Sequence, residues 1–219
     1  QGVEQASRSE LSGELSGPIH RDRLFYFLGG QLLDRSYRSP DLASAAPRDF
    51  QGVRERRRDV RGVAKLSWAR APGERADLML GYTAQDIANA GINGLDDPTA
   101  LQRVAAPTLW YDASWRGTIA ANATYEARLA GFDARESRDG NGGARTPAVR
   151  LLRLGDIPSF QNAEFSQRSE PSSHTASLVL RNAFHMFGAE HTFASGAELS
   201  IGEWTDARMR NGGLTWRPY

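Results

Sequence analysis

The sequence predicts an all-β chain: an antiparallel meander of about eight transmembrane strands, part of a β-barrel. Three observations predict it. Apolar residues recur at every second position along most of the chain, which is the period of a strand with one apolar face. The connections between these segments alternate short and long. Charged residues stand in the middle of the opposite faces, where a soluble sandwich would bury apolar groups but a wet lumen tolerates charge.

The front of the chain gives the first hairpin, with a short strand around residues 9–16, the turn Gly17-Pro18, and an aromatic strand over 24–37. Next, Val60, Gly62, Ala64, Leu66 and Trp68 oppose Arg61, Lys65 and Ser67. After the turn signal Ala71-Pro72-Gly73-Glu74, Leu78, Leu80, Tyr82 and Ala84 oppose Asp77, Gly81, Thr83 and Gln85. Pro and Gly supply the backbone geometry of such a turn. A further hairpin reads from Leu109, Tyr111, Ala113 and Trp115 to Ala123, Tyr125, Ala127 and Leu129. The last runs from Ala176, Leu178, Leu180 and Phe184 to Phe193, Ala197, Leu199 and Ile201. The stretch 211–216 reads as the start of one more strand.

Connections at 17–23, 71–75, 118–121 and 188–190 are short, and those at 38–55, 87–107 and 138–173 are long. A soluble barrel has no reason to keep its long loops at one end. In lipid every backbone polar group needs an internal partner, so length variation is pushed into loops outside the bilayer. The polar faces carry Arg61, Lys65, Asp112, Arg116, Glu126, Arg128, Arg181 and Glu198. Trp68, Tyr82, Trp115, Phe132 and Trp204 are placed to form interfacial girdles.

Composition excludes other classes. Mean hydropathy is −0.52, and no apolar run approaches the roughly 18 residues of a membrane helix. The 27 basic residues, of which only Lys65 is lysine, are balanced by 26 acids, so no nucleic-acid partner is implied. Cysteine is absent, which decides little about compartment. The chain opens on Gln1 without the charged start and apolar core of a secretory signal, and is read as lacking an N-terminal part.

Candidate binding residues are arginines. Arg54, Arg56, Arg57 and Arg58 fall at the outer end of a strand, where they face lipopolysaccharide phosphates, an anionic ligand or simply solvent, with Glu55 and Asp59 interleaved. Arg145, Arg150 and Arg153 lie in the longest loop, the one most apt to touch a ligand. Its segment Asp139-Gly140-Asn141-Gly142-Gly143 reads as a flexible tip. His20, His174, His185 and His191 show no metal-ligand spacing. Asp96, Asp97 and Glu164 lack a partnering nucleophile or base. No enzyme activity, cofactor or metal is expected.

The segment from Gly13 to Phe27, GELSGPIHRDRLFYF, carries Gly17, Pro18, the triplet Arg21-Asp22-Arg23, then Phe25 and Phe27. It resembles a motif of TonB-dependent receptors of the Oar-like subgroup: Gly-Gly-Pro, two residues, a basic-Asp-basic triplet, and Leu-Phe-Phe-Phe. Ser16 replaces the first glycine. Lys65-Leu66-Ser67-Trp68 and the stretch from His191 to Leu199 look like the same subgroup. In physical terms Gly17 and Pro18 turn the chain, the charged triplet keeps the turn wet, and Phe25 to Phe27 enter the membrane interface.

The resemblance implies a fragment, residues 1–219 forming part of a barrel of about twenty-two strands, with the plug domain and TonB-contacting segment outside it. The expected location is the bacterial outer membrane, in contact with lipid and lipopolysaccharide. The whole protein would bind an unidentified small-molecule, carbohydrate or peptide ligand and take it up by energy coupled through TonB. Two alternatives stay open: a complete small outer-membrane barrel with a structural or adhesive role, and a soluble β-sandwich binding module.

Overall fold

The computed structural model describes residues 4–38, 53–92, 98–150, 159–213 and 215–216. Eight long strands follow one another as an antiparallel meander: β1 (Glu4–His20), β2 (Leu24–Arg38), β3 (Glu55–Ala71), β4 (Glu74–Ala90), β5 (Gln102–Ala120), β6 (Ala123–Ala134), β10 (Phe165–Met186) and β11 (Ala189–Arg210). β7 (Glu136–Gly140) continues β6 and pairs with both β5 and β10. A small second sheet joins β8 (Ala148–Arg150), β9 (Ser159–Phe160) and β12 (Thr215–Trp216).

The strands outrun the sequence expectation. β10 and β11 have 22 residues each, about twice the span a bilayer needs. The excess lies at the long-loop end, where polar sequence hides the alternation. The expected loop 138–173 therefore contains all of β8 and β9 and opens into β10 at Phe165. The expected strand start at 211–216 is instead a tight turn followed by Thr215–Trp216, which pairs in parallel with Ala148–Val149.

Register settles which side chains share a face, because directly paired residues of antiparallel strands point the same way. Leu24, Trp68, Ala76, Trp115 and Ala127 form one row across five strands. Leu28, Ala64, Leu80, Tyr111 and Gly131 form another. The opposite face carries Phe27, Lys65, Met79, Asp112 and Ala130. On β4 the apolar positions run over 76–84, roughly nine residues or about 30 Å. That matches a tilted strand crossing a membrane.

Along the middle of β3 and β4 the apolar face is the more exposed of the two, with Arg61 and Arg75 of the polar face reaching solvent. Leu66, Trp68, Leu78, Leu80 and Tyr82 are exposed, whereas Lys65, Ser67, Asp77, Met79 and Thr83 are half-buried. A sheet curling toward its polar side crowds that side and splays the other. This inverts the pattern of a soluble sandwich, and the convex apolar surface is suited to lipid.

Four assignments change. Gly17 and Pro18 are strand residues paired with Tyr26 and Phe25, and the turn is Arg21–Arg23, closed by Arg23 N–H donating to His20 O at 3.2 Å. Phe25 and Phe27 pair with Ser67 and Lys65 on the polar face, and Tyr26 takes the place expected of them on the apolar face opposite Leu66. Phe132 pairs with Trp110, and Trp204 with Pro171, so both belong to the inner face. The girdle keeps Trp68, Tyr82 and Trp115. In each case strict alternation from neighbouring residues fixes the face.

Candidate functional site

The inner wall is lined by cross-strand charge pairs. Asp77 accepts from Ser67 Oγ at 2.6 Å and from Arg75 at 2.9 Å, with Lys65 Nζ at 3.8 Å. Arg128 pairs with Asp112, and Arg181 reaches Glu126 at 3.4 Å. Arg61 and Arg116 share this face without an ion pair among the described residues. Paired charges on a shielded face lower the cost of leaving bulk water, and unpaired cations there attract anions.

Toward the long-loop end the inner face becomes a tighter network. Asp59 is buried and accepts from Arg35 and from Gln85 Nε2, the latter at 2.8 Å. Glu55 is also buried, binding Arg57 and the Gly91 amide at 3.2 Å. The Arg57 guanidinium lies 5.0 Å over the Tyr37 ring, a cation–π arrangement. Arg35 Nε has no hydrogen-bond partner. The constellation places two guanidinium groups and a phenol ring at the mouth of the inner wall.

Above it the loops are stitched by asparagines. Asn141 Nδ2 donates to Asn89 Oδ1 at 2.8 Å and to Pro98 O at 3.1 Å. Asn162, fully buried, donates to Gly143 O at 2.6 Å and Thr146 O at 2.7 Å, and accepts from Ala163 N–H at 2.9 Å. Asn211, 1% exposed, donates to Ala163 O and accepts from Ser166 Oγ, each at 2.8 Å. Buried amides saturated in this way hold irregular backbone in place. Ile92 and Leu101 make a small apolar core beside them.

The segment 139–143 is thus no flexible tip. Gly140 and Gly142 have their Cβ positions occupied by Asn162 and by Gln161 O, so the chain is closely packed there.

Alternation divides the predicted arginine cluster. Glu55, Arg57 and Asp59 point inward, whereas Arg56 and Arg58 point outward, just beyond Val60 at the edge of the apolar band. Arg56 Nε donates to Asp34 at 3.1 Å, and Arg103 meets Asp86 at 2.6 Å. The Arg56 hydrogen bond holds the Asp34 carboxyl below its ordinary range. Arg54 and Arg145 are exposed, Arg150 lies in β8, and Arg153 falls outside the described residues. The structure brings Arg56, Arg57 and Arg58 to one strand end, with Arg57 on the face opposite to the other two.

Arg35 and Tyr37 escape sequence reading, and Asp59 reads only as a neighbour of the arginine cluster, because a strand end with charge on both faces has no apolar phase. The period-two separation of Glu55 and Asp59 from Arg56 and Arg58 was the available signal. Among the described residues no group of three His, Asp or Glu side chains is placed to hold a metal ion. Asp96 and Asp97 lie outside the described residues, and Glu164 is 3.7 Å from Arg210.

No family model and no curated protein matches the sequence. Solved structures do match. The outer membrane transporter YddB from Escherichia coli aligns with TM-score 0.67 at 11% identity, over 91% of this chain and 26% of its own. FpvA of P. aeruginosa, solved with heterologous pyoverdines, gives TM-score 0.67 at 13% identity over 94% and 27%. The ferric enterobactin receptor PfeA of Pseudomonas aeruginosa gives 0.55 at 18% over 92% and 29%. The chain spans about a quarter of the length of these proteins. Agreement over nine-tenths of the chain, joined to one apolar and one charged face, gives the architecture: the chain has the fold of a stretch of an outer-membrane receptor barrel like those of YddB, FpvA and PfeA.

Proposed function

We infer that these residues form part of the wall and outer loops of an outer-membrane receptor that binds a ligand at its external mouth and imports it by TonB-coupled energy. In this reading residues 1–219 are one portion of a barrel of about twenty-two strands, and a plug and TonB-contacting segment belong to the rest of the protein. The observation that carries it is the split of polarity across the sheet, with Leu28, Leu66, Trp68, Leu80, Trp115 and Leu129 exposed on one face and Lys65, Asp77, Asp112 and Arg128 on the other. A soluble β-sandwich cannot present that surface to water.

The ligand side is the inner face near the loops. Arg35, Arg57 and Arg61 suit an anionic ligand, and Tyr37 offers a ring for stacking. Neighbours solved with pyoverdine and with enterobactin support a small chelating ligand as the first class to assay. Arg56 and Arg58, facing outward at the membrane edge, suit lipopolysaccharide phosphates. Arg54, Arg145, Arg150 and Arg153 join the loop surface that meets solvent or ligand.

The test is to express the whole gene product in a Gram-negative host and fractionate its membranes. The expected result is outer-membrane recovery as a folded band whose gel mobility changes on boiling. Ligand uptake should then disappear on deleting TonB and fall at least ~10-fold with Arg57→Glu. Recovery as a soluble, cooperatively folded protein would overturn the reading.

A further inference from the structure

The apolar band runs obliquely across the sheet. Its outer end is closed on β2–β4 by Asp34, Arg58 and Asp86, which share one row. On β6 and β11 it is closed by Asp133 and Glu203, which lie in the row of Tyr82, nearer the short turns. The short turns step the same way. The row of Trp68 passes through Leu24, beside the first turn, and through Leu178, well short of the last turn at Phe187-Gly188. Both ends shift as expected for strands tilted about 35–45°. The membrane normal then advances about one strand for every two residues of rise.

Along that direction Trp68 and Leu78 form one ridge, and Trp115 and Leu129 a second. Ala76 and Ala113 lie between the ridges, and Ala127 and Ala176 on the far flank of the second. The four ridge side chains are exposed, whereas Ala76, Ala113 and Ala127 are half-buried. The result is a depression of about 670 Å³ lined by these residues. The trough over Ala76 and Ala113 ends at Gly131, where Tyr111 Oη meets His174 Nδ1 at 2.9 Å. From Ala76 to Gly131 is about 16 Å, about one leaflet's share of the hydrocarbon.

Arg70 stands at the foot of this trough, just beyond Trp68. It bonds Glu74 through Nη1 at 3.2 Å, and the same Glu74 oxygen also accepts from Trp115 and Tyr125. The other N–H groups of Arg70 have no partner among the described residues, and its side chain is 58% exposed. The Trp68 indole N–H is likewise unbonded among the described residues. Donors for an anion therefore sit where the troughs reach the membrane edge.

We propose that the depression holds one phospholipid of the short-turn leaflet, its phosphate on Arg70 and its two acyl chains on either flank of the Trp115–Leu129 ridge. A guanidinium binds phosphate through paired donors. Troughs along the membrane normal receive acyl chains in the direction they already take. The inference rests on the barrel reading above and adds a resident lipid to it.

Full-length protein, washed free of lipid in detergent, is titrated with dioleoylphosphatidylglycerol, and bound lipid is counted by native mass spectrometry. One lipid should bind several-fold more tightly than those that follow. Ala113→Phe and Ala176→Phe each fill one trough and should weaken it several-fold. Arg70→Gln should do the same, and at the exposed edge it keeps the test open should a filled trough block assembly. Ala84→Phe, on the same face outside the depression, should leave binding unchanged. Dioleoylglycerol, which has the chains without the phosphate, should bind wild type and Arg70→Gln alike. Variants are scored as folded barrels by the change of gel mobility on boiling.

Recovery of the wild type as a folded protein without detergent would end the barrel reading and the lipid site with it. A folded barrel in which Arg70→Gln or the filled troughs bind as wild type would show the site alone to be wrong. Equal weakening by Ala84→Phe would mean that lipid coats the whole face without a preferred place, which also overturns the proposal.

Discussion

The Trp115 indole Nε1–H donates to Glu74 Oε1 at 3.2 Å across neighbouring strands, at the short-turn edge of the lipid-facing surface. The same oxygen accepts from Tyr125 Oη at 3.3 Å and Arg70 Nη1 at 3.2 Å, while the Trp115 and Tyr125 rings meet edge to face at 5.6 Å. One carboxylate thus orients two aromatics and a cation where membrane gives way to water. Glu74→Ala should lower the stability of the folded barrel by about 1–2 kcal/mol, since each lost hydrogen bond is worth roughly 1. The midpoint of the heat-induced gel-mobility change reads it, and an unchanged midpoint would deny Glu74 this role.

Trp110 lies flat against Gly81 on the inner wall, where a Cβ would fall 2.0 Å from the indole. Gly81→Ala must displace the ring, at a cost of about 1–3 kcal/mol. Gly13→Ala is the matched control, because nothing lies within 4 Å of its Cβ position. Urea unfolding in detergent should separate the two variants, and equal midpoints would contradict the packing described.

Asn162→Leu removes the donors to Gly143 O and Thr146 O and the acceptor for Ala163 N–H. Each orphaned buried group costs ~1–3 kcal/mol. The loop segments should open to protease on intact cells while the barrel keeps its heat-modifiable band. Unaltered cleavage would show that the asparagine does not hold them.

Asp34 supplies a pH test, being outside the lipid-facing band and held below its ordinary carboxylate range by the Arg56 hydrogen bond. A depressed folded pKa gives stability that is present above the unfolded value of about 3.9 and lost as pH falls through the folded value. Amide exchange at the outer ends of β2 and β3 should therefore be flat from neutral pH to about 5 and quicken, relative to its intrinsic rate, only in stronger acid. Asp34→Asn should remove that acid response. A response centred near neutrality would point to another group.

Much of this fold was legible because lipid demands an apolar residue at every second outward position, so Leu78, Leu80 and Tyr82 announce their strand and its phase. Beyond the bilayer that demand ends. Glu136 to Gly140 and the start of β10 pair in water with no apolar face, and they read as loop. Phe25 and Phe27 were given the wrong side because a lumen accepts aromatic residues as readily as an interface does; their register opposite Ser67 and Lys65 decides the matter. Asn162 and Asn211 look like surface residues in sequence. Their burial depends on carbonyls brought from distant segments, which no local pattern records.

The meander has a consequence for assembly. Every long strand of the main sheet pairs with the long strands immediately before and after it among the eight, with β7 merely lengthening β6. Such a sheet can be laid down in the order of synthesis, each finished hairpin offering one edge as template for the next, without a strand having to be threaded back between two already joined. A chain stalled after any of the short turns is then a shorter version of the same wall rather than a tangle.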